Sequence, residues 1–130
     1  MAAQLHRAGE TFPTPDTGSL RGDLLAYAAS QIEATKAPDT RLWLHRMLPS
    51  GRDADLSDVR MDFWDCRLNA VATILRRAAD RGELRPGIDP LLATKMYVGS
   101  SLFEPIFYET ATSPEYAEQM LDVFVRGISV

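Results

Sequence analysis

The chain has 130 residues, 45% of them hydrophobic and 25% charged, and a net charge of −4. That suffices for one soluble domain with one core, and the acidic balance argues against gripping nucleic acid by phosphate neutralisation. Cys66 is the only cysteine, which excludes an intramolecular disulfide and a cysteine-rich metal site and fits a reducing cytoplasm, while no run approaches a signal peptide or the ~20 apolar residues of a membrane span.

Residues 1–14 carry few apolar side chains and end among Pro13 and Pro15, as a frayed helix end or a flexible arm would. A first helix starts at Leu20, where Leu20, Leu24, Ala28 and Ile32 recur every four residues, with Ser19 or Thr17 as its cap. It stops before Pro38. Asp39 or Thr40 can cap a shorter second helix, whose apolar side is Trp43, Leu44, Met47 and Leu48 and which Pro49-Ser50-Gly51 ends. A polar loop, 52–55, leads to a long third helix at about 56–81. Its stripe runs through Leu56, Val59, Phe63, Ala70 and Ile74, and Gly82 sits where a left-handed terminating residue belongs. Asp89-Pro90 opens a fourth helix and Ser113-Pro114 a fifth, which ends at Gly127. Pro105 falls inside the fourth and should kink it. With no strand pattern or repeat, the expected architecture is all-α, a single helical domain of about five helices over 15–130.

The fourth helix is apolar on two sides. Leu92, Met96, Gly99, Phe103, Ile106 and Phe107 share one; Leu91, Val98 and Leu102 lie nearly opposite, with Thr94, Ser101 and Lys95 on the flanks. The fifth has a single broad arc from Tyr116 to Ile128, wider than one-sided packing needs. Such helices are either doubly buried inside a monomer or paired with their copies in a C2 four-helix interface. Five helices are few to cover so much apolar surface, which favours the second packing.

No residues suggest catalysis. His6 and His45 are far apart, and no metal-ligand spacing, phosphate loop or nucleophile elbow occurs. The expectation is a non-enzyme with no cofactor and no metal. Arg67 stands out, one turn after Phe63 and one before Val71 in the apolar sector of the third helix. It either snorkels to water or serves as the polar hook of an apolar pocket. Candidate walls are Trp43, Met47, Phe63, Trp64, Met96, Tyr97, Phe103 and Phe107, although aromatics and methionines at helical spacing also build plain cores.

Three segments carry a resemblance. PDTGSLRGDL at 15–24 resembles the opening of the C-terminal domain in many tetracycline-repressor (TetR) family regulators. RAADRGELR at 77–85, followed by Ile88-Asp89-Pro90, is similar to the family's loop between its long core helix and its first dimerisation helix, and 116–128 to its last helix. The resemblance implies an effector-binding and dimerisation domain. A small molecule enters between helices, the last two helices form the homodimer interface, and the shift releases DNA from helix-turn-helix heads. On this chain the interface would fall on Leu91, Val98, Leu102, Tyr116, Met120, Val123 and Phe124, leaving the Met96–Phe103–Phe107 side for the pocket. The family's N-terminal helix-turn-helix head has no counterpart here, and 1–14 would match only the tail of a linker helix. The chain alone is therefore not expected to bind DNA. Two alternatives stay open: a standalone helical carrier for a small apolar molecule, and a small enzyme using Arg67 with His45 or Asp62.

Overall fold

The computed structural model describes residues 14–49 and 57–130. The arm at 1–13, the Ser50-Gly51 stop, the 52–55 loop and Leu56 lie outside them. Among the described residues there are five α-helices and no strand: α1 (Leu20–Thr35), α2 (Pro38–Arg46), α3 (Ser57–Asp80), α4 (Pro90–Ser101) and α5 (Pro114–Ile128). One π-helical turn, Glu104–Tyr108, follows α4.

Local chemistry sets these boundaries. Ser19 caps α1, its Oγ accepting from the Gly22 N–H at 3.0 Å. α2 begins earlier than its candidate caps suggest, with Ala37 at the cap and Pro38 in the first turn, where a missing N–H costs nothing. Arg41 reaches back from α2 and donates to the Thr35 and Lys36 carbonyls at 2.7 and 3.2 Å, satisfying the open end of α1. α3 ends in a Schellman motif: Glu83 N–H donates to Ala78 O, Gly82 N–H donates to Ala79 O, and Gly82 has φ +78°.

Pro105 does more than kink its helix. The α-helical ladder of α4 stops at Ser101, the residue four before the proline ring. The chain then makes the wider π turn and leaves it at Glu109, with φ 54°. The Glu104 carboxylate accepts from Ser113 N–H at 3.0 Å, and Ser113 caps α5 through Tyr116 N–H, so the turn is tied to the next helix start.

α4 packs along α3, while α5 lies against α1 and α4. Leu24, Leu44, Met47, Val71, Ile74, Leu75, Tyr97 and Leu121 are fully buried between them. A polar joint closes one corner. The buried Asp23 carboxylate accepts from Thr17 N–H and Thr17 Oγ1 at 2.6 and 2.7 Å, with Arg81 Nη2 3.7 Å from its other oxygen. Glu83 Oε2 accepts from Leu20 N–H and from Arg81 Nη2, both at 3.0 Å. Val130 N–H donates to Glu83 O, and Arg85 N–H donates to Ile128 O. Gly22 is required here, because a Cβ would collide with the Thr17 side chain and lie 2.8 Å from Ser19 Oγ.

Candidate functional site

Two surfaces could carry function: a cleft among α1, α2 and α3, and an apolar face across α4 and α5. The cleft is lined by Tyr27, Ser30, Gln31, Ala34 and Thr35 of α1, Thr40 and Leu44 of α2, and Cys66, Arg67 and Ala70 of α3. Its space is about 60 Å³, room for a few waters and well below the ~300–1,000 Å³ of sites for drug-sized ligands. Among the described residues Arg67 is the one charged residue on its wall. The guanidinium carbon sits 5.5 Å from the Phe63 ring centre, and Nε is buried without a hydrogen-bond partner.

Of the nine residues expected to wall a pocket, Arg67 alone lines this cleft. Trp43, Met47, Phe63 and Trp64 instead form a wedge joining α2 to α3. The Trp43 and Trp64 rings meet Phe63 edge-on at 6.4 and 5.0 Å, and Trp64 Nε1 donates to Met47 O at 2.7 Å. Tyr97 is wholly buried behind the cleft, its ring against Tyr27 and Phe124. Burial, reinforced by Tyr27, pushes its hydroxyl pKa well above the usual tyrosine value, and among the described residues the hydroxyl has no hydrogen-bond partner. Met96, Phe103 and Phe107 point outward, 56%, 43% and 71% exposed. Half of the cleft's wall comes from α1, where Ser30, Gln31, Ala34 and Thr35 are small or polar residues that an apolar pattern does not flag. The i, i+3, i+4 spacing of Tyr27, Ser30 and Gln31 was the available signal.

The two sides of α4 are exchanged relative to the sequence expectation. Val98 and Leu102 are 6% and 7% exposed and belong to the protomer's own core. Alongside them Ala93, Thr94, Tyr97 and Ser101 face inward. Thr94 and Ser101 can do so because each hydroxyl donates to a carbonyl of its own helix, Pro90 at 2.7 Å and Val98 at 2.8 Å. Leu91 is exposed on the first turn. The outward side carries Leu92, Met96, Gly99 and Phe103. It continues across a groove of about 600 Å³ onto Tyr116, Met120, Val123 and Phe124 of α5. Tyr116 Oη donates to Ser100 O at 2.7 Å, fixing α5 beside α4.

His45 is exposed and lines a separate surface hollow with Arg41, Leu42 and Glu109, and Asp62 lies exposed on α3. Neither lines the cleft that Arg67 faces. Among the described residues no cluster of His, Cys, Asp or Glu could hold a metal ion, and no helix is long and apolar enough to cross a membrane.

The family described as "Tetracyclin repressor-like, C-terminal domain" matches residues 14–124. The chain belongs to this family. Among curated proteins, the "HTH-type transcriptional regulator AqdR" of Rhodococcus erythropolis is 30% identical over 90 residues, 69% of this chain and 44% of that protein. The chain thus spans less than half the length of this relative. No solved structure matches it. The two tetracycline-repressor-like segments at 15–24 and 77–90 are the ones that meet at the Asp23–Arg81–Glu83 corner. In this tetracycline-repressor-like domain the motif is thus a structural joint: Gly22 gives close approach, Asp23 and Glu83 accept from backbone N–H groups, and Gly82 turns the chain.

Proposed function

We propose that the chain is the ligand-sensing and homodimerising domain of a tetracycline-repressor-like transcription regulator, with DNA contact made by a helix-turn-helix unit outside it. The observation that carries this reading is the exposed apolar face across α4 and α5. Val123 is 73% exposed and Met96 56%, beside a groove large enough to seat side chains of a second copy. Soluble monomers rarely expose contiguous apolar area on this scale without a partner. Gly99 and Gly127 support the same reading. A Cβ at either would meet nothing within 4 Å, so protomer packing does not require a glycine there. A partner helix approaching closely would require it.

The cleft is the sensing site in this reading. Its Thr35 wall is connected to the assembly face: Thr35 Oγ1 accepts from Thr112 N–H at 3.0 Å, one residue before the Ser113 cap of α5. A ligand with different affinities for two placements of α1 would thereby bias the placement of α5.

Sedimentation at micromolar concentration should show a dimer. Val123→Glu and Met96→Glu should give folded monomers, because both side chains are exposed in the protomer and a charge there is costly only when a partner buries it. Val98→Glu and Leu102→Glu should instead lower the melting temperature sharply. A Val123→Glu protein as dimeric as wild type would place assembly elsewhere.

A further inference from the structure

We propose that the α1–α2–α3 cleft recognises a small monocarboxylate on a compact apolar body, with Arg67 as its counter-charge. The proposal rests on reading the cleft as the sensing site and adds the chemical class of the ligand.

Arg67 lacks the partners that most arginines near the core have. Arg41, Arg77 and Arg81 are engaged, whereas Arg60 Nη1, like Arg67 Nε, is buried without a partner among the described residues but does not line the cleft. Arg41 donates to two backbone carbonyls, Arg77 donates to Pro15 O beside Asp16, and Arg81 meets Asp23 and Glu83. Arg67 is held by a ring instead. Phe63 covers the guanidinium but accepts none of its in-plane N–H groups, and Nε is buried unpaired. Among the described residues no aspartate or glutamate lines the cleft to neutralise it. A buried, unpaired guanidinium N–H on the wall of a recess is complementary to an incoming oxyanion.

The remaining lining sets the ligand's charge and body. Ser30 and Thr35 already donate within α1, to Ala26 O and Ile32 O, and Thr35 also accepts from Thr112. Gln31 and Thr40 remain as uncommitted polar neighbours. One guanidinium with an amide and a hydroxyl suits a singly charged carboxylate, whereas a phosphate dianion needs more positive charge. Tyr27, Ala34, Leu44 and Ala70 supply the wall for an apolar body, and about 60 Å³ of space keeps that body small.

The test uses propionate and its neutral isostere propionamide on the whole chain, followed by calorimetry and by amide chemical shifts. Propionate should bind saturably and perturb Tyr27, Thr40 and Ala70, with propionamide weaker by about tenfold or more, the loss of one charge-assisted pair. Arg67→Gln should abolish that preference, and Arg67→Lys should restore part of it. Ala70→Leu fills the cleft while keeping Arg67 and should block propionate, which covers the case of an Arg67 variant that does not fold. Equal affinity for the two probes, unchanged propionate affinity in Arg67→Gln, or no propionate binding overturns the assignment. If propionamide alone still perturbs the cleft residues, the charge assignment fails and the sensing site stands. If propionate perturbs only residues outside the cleft, both fail.

Discussion

The Tyr97 hydroxyl is enclosed by Tyr27 and Phe124 and bonds to nothing among the described residues. A buried polar group in that state carries a desolvation cost of ~1–3 kcal/mol. Tyr97→Phe removes the oxygen and keeps the ring, so it should raise stability by about 1 kcal/mol in chemical denaturation. The same residue should govern alkaline behaviour. Its folded pKa is raised from the ordinary value of 10.0. Between that value and the folded one, the unfolded chain has released a proton that the native chain keeps. Stability is therefore fully present below pH ~10 and falls above it by ~1.4 kcal/mol per pH unit until the folded pKa is reached. Melting followed from pH 8 to 11 should show this loss in wild type and a clearly shallower one in Tyr97→Phe. Equal slopes would assign alkaline loss to other groups.

At the scale of the elements, the connection between α4 and α5 is held by a few polar contacts. Thr35→Val deletes the acceptor of Thr112 N–H and leaves a buried donor unpaired, which should cost ~1–3 kcal/mol. Thr35→Ser should recover most of it, and faster amide exchange at Thr112 in the valine variant is the direct readout. This contact spans 77 positions of sequence, so no local pattern announces it. What was legible was local. Ser19, Gly82, Asp89-Pro90 and Ser113-Pro114 each mark a helix end with chemistry that acts within a turn, and each lies where the sequence places it. The facing of α4 was not legible. Its two sides are about equally apolar, and the inward one includes Thr94 and Ser101, whose hydroxyls are satisfied inside the helix and so bury without penalty. Pro105 signals a break, but the π turn it leads into, tied to the next helix by the Glu104–Ser113 bond, involves a contact nine residues along that no local pattern announces. Arg67 was readable as an oddity on its stripe, while Thr35 and Tyr27 were not, because a cleft between three helices is a product of packing.

Across the whole molecule, two surfaces lie apart. The cleft is built from α1, α2 and α3, the exposed apolar face from α4 and α5, and the long helix α3 packed along α4 supplies the core between them. Glu83 is the fastener of this arrangement, bonding α1 through Leu20 N–H and the end of the chain through Val130 N–H. Glu83→Gln keeps one acceptor oxygen but loses the charge that holds Arg81. It should lower stability by roughly 1–2 kcal/mol, the range of a partly buried charge-assisted bond. Denaturant titration would check this, and an unchanged midpoint would mean that solvent substitutes for the carboxylate.

The corner has a consequence for how the protein opens. Leu20, the 83–85 stretch and Val130 are remote from one another in sequence, yet the amides of Leu20, Glu83, Arg85 and Val130 donate into acceptors clustered at residues 78–83 and 128. They should consequently behave as a single cooperative unit, with hydrogen exchange at the four sites converging on one opening free energy rather than grading outward from the terminus.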